Sequence, residues 1–138
     1  VRFELTKRAD YAIRAMVALA RAGEGERLSV REIAAAQAIP VRFLPAIMGD
    51  LGRRGLVEAR LGRNGGYRPG RSPAEISIRA VIEAIEGDGR RRRCALHDRA
   101  CAAAAHCSVH DVLAAAQDGM LAALDAATVQ DIATPATR

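Results

Sequence analysis

The stretch Leu56-Val57-Glu58-Ala59-Arg60-Leu61-Gly62-Arg63-Asn64-Gly65-Gly66-Tyr67-Arg68-Pro69-Gly70 decides how this chain folds. Leu56 to Ala59 reads as a short strand. Arg63-Asn64-Gly65-Gly66 reads as a hairpin turn, because Asn-Gly supplies the positive φ angles that tight hairpins need. Tyr67 and Arg68 begin the return strand, and Pro69-Gly70 bends the chain away.

Upstream, three helical patterns lead into this hairpin. Thr6 caps the first, which runs to about Arg21 with Ile13, Met16, Val17 and Ala20 on one face and Gly23 beyond its end. Ser29-Val30-Arg31-Glu32 has the capping-box pattern, in which the Ser and Glu side chains satisfy orphan backbone donors, and a short helix follows to Gln37. After Ile39-Pro40 a third helix is expected from about Arg42 to Arg54, stopped by Gly55. Pro45 is tolerable only in a first turn, which places the start near Val41 or Arg42. Leu44, Ile47, Met48 and Leu51 form its buried face. Three helices and a basic hairpin make a winged helix-turn-helix.

Downstream, Ile78 to Glu86 shows Ile78, Val81, Ile82 and Ile85 at helical spacing and ends at Gly87. Residues 87–107 read as a loop. Ser108, with Asp111 three residues on, is expected to cap a long helix to about Ala126, whose apolar stripe is Val109, Val112, Leu113, Ala116, Met120 and Leu124. Thr128-Val129-Gln130-Asp131 caps a last short helix. The fold class is therefore mainly α with a small β-hairpin wing. One integrated domain is expected, with residues 1–87 as the winged helix-turn-helix, 88–107 as a loop, and 108–138 as the long helix and tail.

The 138 residues suit a single domain. No apolar run reaches membrane-spanning length and no secretion signal is evident, so a cytoplasmic protein with no membrane contact is expected. The net charge is +5, and it is unevenly placed. Residues 53–71 hold six arginines (Arg53, Arg54, Arg60, Arg63, Arg68 and Arg71) against Glu58 alone, an excess equal to that of the whole chain. A preference for Arg over Lys follows from base composition, but clustering does not. The cluster is the footprint of a polyanion contact.

In a helix-turn-helix the second helix of the pair enters the major groove by its N-terminal end. That leaves Arg42 and Phe43 facing the groove. Arg42 suits guanine or phosphate, and Phe43 suits a thymine methyl or the core. Arg63 and Asn64 stand at the wing tip, where an arginine fits a narrow minor groove. Arg53, Arg54 and Arg60 are expected on phosphates. No Ser/His/Asp set, phosphate loop or paired carboxylates argue for an enzyme. Two Phe and two Tyr offer little stacking surface for RNA.

Cys94, Cys101 and Cys107 are the three cysteines, with His97, His106 and His110 nearby. An odd count argues against a disulfide framework. Structural zinc sites usually contain a close C-x2-4-C pair, which is absent, so the wide spacing favours an iron–sulfur cluster over zinc. Unliganded cysteines are the remaining alternative.

Several of these motifs together resemble the Rrf2 family of bacterial transcription regulators. The resemblance rests on Leu5-Thr6-Lys7 leading to Tyr11-Ala12, on Gly55-Leu56-Val57, and on Arg63-Asn64-Gly65-Gly66-Tyr67. It continues through Ile82-Glu83-Ala84-Ile85-Glu86-Gly87, the three cysteines, and Thr128-Val129. It implies a homodimer held by the long C-terminal helices, a palindromic double-stranded DNA operator, and a repressor role. It also implies that Cys94, Cys101 and Cys107 ligate the cluster within residues 88–107.

The fourth ligand differs between branches of the family. In the nitric-oxide-sensing branch an aspartate of the partner's first helix completes a [4Fe–4S] cluster, and Asp10 matches it. In another branch a histidine completes a [2Fe–2S] cluster, and His110 matches that one. Asp10 is favoured, because the histidine branch tends to carry a basic residue there. Pro45-Ala46 departs from the polar base-reading residues of that branch. The resemblance implies sensing of nitric oxide or redox stress. A regulator of iron–sulfur biogenesis or iron status, and a zinc-stabilised interaction module without sensing, are the alternatives.

Overall fold

The computed structural model describes residues 3–87 and 108–135. The helices are α1 (Lys7–Ala22), α2 (Val30–Gln37), α3 (Leu44–Arg53), α4 (Ile78–Glu86), α5 (His110–Ala126) and α6 (Val129–Ala133). Between α3 and α4 lies one antiparallel hairpin, β1 (Val57–Arg60) with β2 (Gly66–Pro69). The fold is mainly helical, with a hairpin after the helix-turn-helix and a C-terminal helix.

The core forms around α1. Its buried residues are Ala9, Tyr11, Ala12, Ala15, Met16, Val17, Ala18 and Leu19, whereas Ile13 and Ala20 are only partly buried. The amphipathic face expected from the sequence was too narrow, because α1 packs against α2, α3, α4, α6 and β2. A helix covered on most sides no longer shows one apolar stripe. Leu44, Ile47, Met48 and Leu51 of α3 meet it as expected, together with Ile33, Val81 and Val129.

Capping fixes most helix starts. The Thr6 hydroxyl accepts from the Ala9 N–H, and Ser29 with Glu32 forms the expected capping box. Thr128 and Asp131 form a second one at α6, where hydrogen bonds from the Thr128 N–H and hydroxyl hold the Asp131 carboxyl below its ordinary pKa of 3.8. Two boundaries differ from expectation. Val41–Phe43 is a 3-10 turn and α3 proper begins at Leu44, which puts Pro45 within its first two positions, where a missing N–H costs nothing. Ser108 does not cap α5; Val109 precedes its first residue, His110, without a side-chain cap.

The hairpin is also longer-looped than its Asn-Gly pair suggests. β1 starts at Val57, and residues 61–65 join the strands. The Gly65 N–H bonds the Gly62 carbonyl at 3.0 Å, and Asn64 takes φ 63°. Gly62, at φ 90°, and Gly66, at 127°, supply the other positive φ angles of the hairpin, and Gly65 does not. Leu28 and Tyr67 exchange backbone hydrogen bonds of 2.9 and 2.7 Å, which fastens the hairpin to the chain entering α2.

The C-terminal end returns to the same core. Ile78 N–H bonds the Ala127 carbonyl and Val129 N–H bonds the Ile76 carbonyl, each at 2.9 Å. Arg21 Nε donates to the Ala133 carbonyl at 3.1 Å. Among the described residues no helix is long and apolar enough to cross a membrane.

Gly66 carries the attachment of the wing. A Cβ there would stand 2.7 Å from the Leu28 carbonyl oxygen, at a φ that L side chains rarely adopt. Gly66→Ala should destabilise the protein by roughly 2–4 kcal/mol through strain and crowding together. Urea denaturation measures this, and a loss below about 0.5 kcal/mol would show that the wing is not held there.

Candidate nucleic-acid interface

The turn before α3 presents Arg42 and Phe43 side by side. The Arg42 guanidinium lies 4.6 Å above the Phe43 ring, and that ring packs 5.6 Å from Tyr11 of α1. Phe43 is thus half in the core: its inner side leans on Tyr11, while about a third of it stays exposed under the arginine. The outward side of α3 continues with Pro45, Ala46, Gly52 and Arg53, all exposed. Its middle is small and carries no hydrogen-bonding side chain, so the polar groups stand at its two ends.

The arginines of residues 53–71 fall into two sets. Arg53 donates to Asp50 Oδ1, and Arg68 pairs with Glu58 at 2.7 Å, directly opposite it in the hairpin register. Arg54, Arg60, Arg63 and Arg71 are exposed and have no ion-pair partner among the described residues. Arg60 ends β1 and faces Gly66, and Arg63 and Asn64 sit on the hairpin loop. The end of α3 and the wing region therefore carry four exposed arginines without an ion-pair partner among the described residues, as a duplex contact requires. Sequence reasoning missed Leu61, which is 95% exposed between Arg60 and Arg63. An apolar side chain there gains nothing from the fold, and only its exposure singles it out.

Asp10 lies in the first turn of α1 with its side chain 54% exposed, 3.5 Å from Arg14 Nε. Arg14 reaches further: its Nη1 donates to the Gln37 carbonyl at the end of α2, and its guanidinium lies 5.1 Å from the Tyr11 ring centre. One side chain thus joins Asp10 to the end of α2 and to the Tyr11 ring of α1. His110 is the first residue of α5 and is exposed. Cys94, Cys101 and Cys107, with His97 and His106, lie outside the described residues. Among the described residues no cluster of three metal-binding side chains occurs.

This geometry has relatives. The family model described as "Iron-dependent Transcriptional regulator", Rrf2, matches residues 5–135. This chain belongs to the Rrf2 family of transcription regulators. Members of the family are DNA-binding regulators and not enzymes. Among its relatives is the HTH-type transcriptional regulator NsrR of Geobacillus kaustophilus, 35% identical over 94% of this chain and 88% of that one. The repressor NsrR of Streptomyces coelicolor is 32% identical over 96% of this chain and 90% of that one. Similar folds include CymR, the global cysteine regulator of B. subtilis, at TM-score 0.80 and 21% identity, covering 96% of this chain and 97% of that one. IscR of T. potens superposes at TM-score 0.77 and 22% identity, over 94% and 85%.

On a winged helix-turn-helix, phosphate partners are expected around the wing and base readers at the start of α3. Arg42→Ala removes the stacked guanidinium. Against the best site selected from a random DNA library it should weaken binding by about 1–3 kcal/mol and relax specificity at one position. Uniform weakening on every sequence would make Arg42 a phosphate contact instead.

Proposed function

We propose that this Rrf2 protein is a homodimeric transcriptional repressor whose affinity for a palindromic operator depends on an iron–sulfur cluster. The signal is nitric oxide or redox stress. Cys94, Cys101 and Cys107 are the thiolate ligands, and Asp10 of the partner subunit is the fourth. Three thiols with one carboxylate form a donor set suited to a [4Fe–4S] cluster. His110, at the head of α5, is the alternative fourth ligand, and would suit a [2Fe–2S] cluster. Winged domain 1–87, cluster loop 88–107 and dimerisation region 108–138 divide the work. A chromosomal regulator of this kind acts in the cytoplasm.

The observation that carries this reading is the openness of the Asp10 carboxylate, 54% exposed in the first turn of α1 and so within reach of a second subunit. Glu86 accepts hydrogen bonds from both the Thr6 N–H and the Thr6 hydroxyl, each at 3.2 Å. The end of α4 thereby holds the start of α1, the turn that carries Asp10, in a fixed place. Asp10 is exposed, and its Arg14 pair is a long one, so the carboxylate is available to a ligand outside its own subunit. The likeness to regulators named NsrR along nearly the whole chain supports the same assignment.

When bound, such a cluster supplies iron that reacts with nitric oxide or oxygen. What the protein's own residues contribute is coupling. Asp10 is tied through Arg14 to the Gln37 carbonyl and to Tyr11, and Tyr11 touches Phe43 beneath Arg42. A change of partner at Asp10 is thus felt at the turn that reads bases. A coupling of roughly 1–3 kcal/mol alters operator affinity about 5–150-fold, which suffices for a switch. Cys101→Ala should abolish the visible absorbance of anaerobically purified protein together with its inorganic sulfide. Unchanged colour would remove Cys101 from the ligand set.

The dimer contact is assigned to α5. Its inner side, Leu113, Gln117, Met120, Leu121 and Leu124, is partly buried against the fold, but Val109, Val112, Ala116, Gly119 and Ala123 face outward. These outer residues follow a three-four spacing, the seam of a helix packing on a second helix. Val112 is 70% exposed. Val112→Glu should shift the protein to monomer in light scattering and weaken operator binding with it; a dimer that survives would place the contact elsewhere.

A further inference from the structure

Arg8 is a basic residue that the charge cluster of residues 53–71 does not include. It stands in the first turn of α1, and its Nη2 donates to Asp50 Oδ2 at 2.6 Å. The other oxygen of the same carboxylate accepts from Arg53, at the end of α3. Two guanidinium groups from two helices thus share one carboxylate. Asp50 is largely covered, at 18% exposure, while Arg8 is 49% and Arg53 72% exposed.

We propose that Arg8 is a phosphate-contacting residue of the DNA interface, seated beside Arg53 by their common carboxylate, Asp50. This rests on the reading of the α3 and wing face as the duplex contact. Three observations carry it. Arg53 lies on the outward side of α3 with Ala46 and Gly52, so the shared carboxylate puts Arg8 at the margin of that same side. A second link, Tyr11 against Phe43, holds the same turn of α1 along α3. The charges leave an excess, since two cations meet one anion.

A guanidinium has five donors in a fixed fork. An ion pair with one carboxylate oxygen leaves donors over for a phosphate, whose geometry a planar fork matches. Exposed pairs of this kind hold weakly, and their effect is to narrow where long side chains point. Asp50 is accordingly a positioning residue. It fixes two arginines from different helices so that adjacent phosphates can be met at once. Without it Arg53 would be a loose cation at a helix end, and Arg8 would have no reason to lean towards α3.

Phosphate contacts do not depend on base sequence, so the test needs no operator. The full-length protein is titrated with a mixed-sequence duplex over a range of salt concentrations. Arg8→Gln should reduce the slope of log affinity against log salt by roughly 0.9 for each phosphate that Arg8 neutralises. Arg8→Lys, which keeps a point charge, should restore it. Arg21→Gln is the control: it removes an equal charge about 20 Å further along α1, and should leave the slope as it was.

An Arg8→Gln slope equal to the parent's overturns the proposal. So does an equal fall in the Arg21 control, which would reduce the effect to net charge. Parent protein that binds no duplex at all would instead defeat the underlying assignment of the face. If Arg8→Gln unfolds, the unmodified protein still decides. DNA should protect Arg8 from an arginine-selective dicarbonyl reagent, read by peptide mass, and equal labelling with and without DNA overturns the assignment.

Discussion

The structure depends on how closely its neighbours can approach α1. Ala9, Ala12, Ala15 and Ala18 are buried along it, and each presents only a methyl group. The separation of packed helices is set by the side chains between them, so an alanine-rich surface lets several elements crowd in. Four helices and β2 do so. Met16 and Leu19 supply the larger volumes that fill the space between them. Burial of this kind is worth about 25 cal/mol for each Å² of apolar surface, and the many small contacts add up. A larger residue at Ala12 or Ala15, both fully buried, would push the elements packed on α1 apart.

That dependence explains why the functional groups lie where they do. Arg42 and Phe43 sit in a turn that can lean on Tyr11 only because α3 lies close to α1. Arg14 reaches the end of α2 across the same short gap. The hairpin is fastened to Leu28 by two backbone bonds, which fixes Arg60, Arg63 and Asn64 relative to α3. The C-terminal return through Ala127 and Val129 closes the far side of α1. The turn before α3, the wing and the C-terminal return all take their position from one helix. A displacement at the first turn of α1, where Asp10 lies, is therefore not a local event.

Charge follows a similar logic. The six arginines of residues 53–71 looked equivalent in the chain, but Arg53 and Arg68 have carboxylate partners and Arg54, Arg60, Arg63 and Arg71 do not, among the described residues. Glu58 meets Arg68 because antiparallel pairing sets them opposite each other. Asp50 meets Arg8 because α1 and α3 are adjacent, although forty-two residues separate them. The hairpin pair was within reach of register arguments once the turn was known; the pair between helices was not. Leu61 was hidden for a different reason, since an apolar residue at the end of a strand reads as core until its exposure is seen.

Local signals settled the helices. Thr6, Ser29 with Glu32, and Thr128 with Asp131 cap where they were expected to, since a cap needs only a side chain and a backbone N–H three residues on. Apolar spacing placed Leu44, Ile47, Met48 and Leu51 inward, and the turn residues near Asn64 announced a hairpin. The sequence alone was also enough for the family. It could not set the length of the hairpin loop, the 3-10 start before α3, or the near-complete burial of α1. Those depend on what lies across from each residue, and distance along a chain says little about distance in space. Tertiary packing alone decided which arginines stand free, and that α1 contributes to the face that α3 and the wing present.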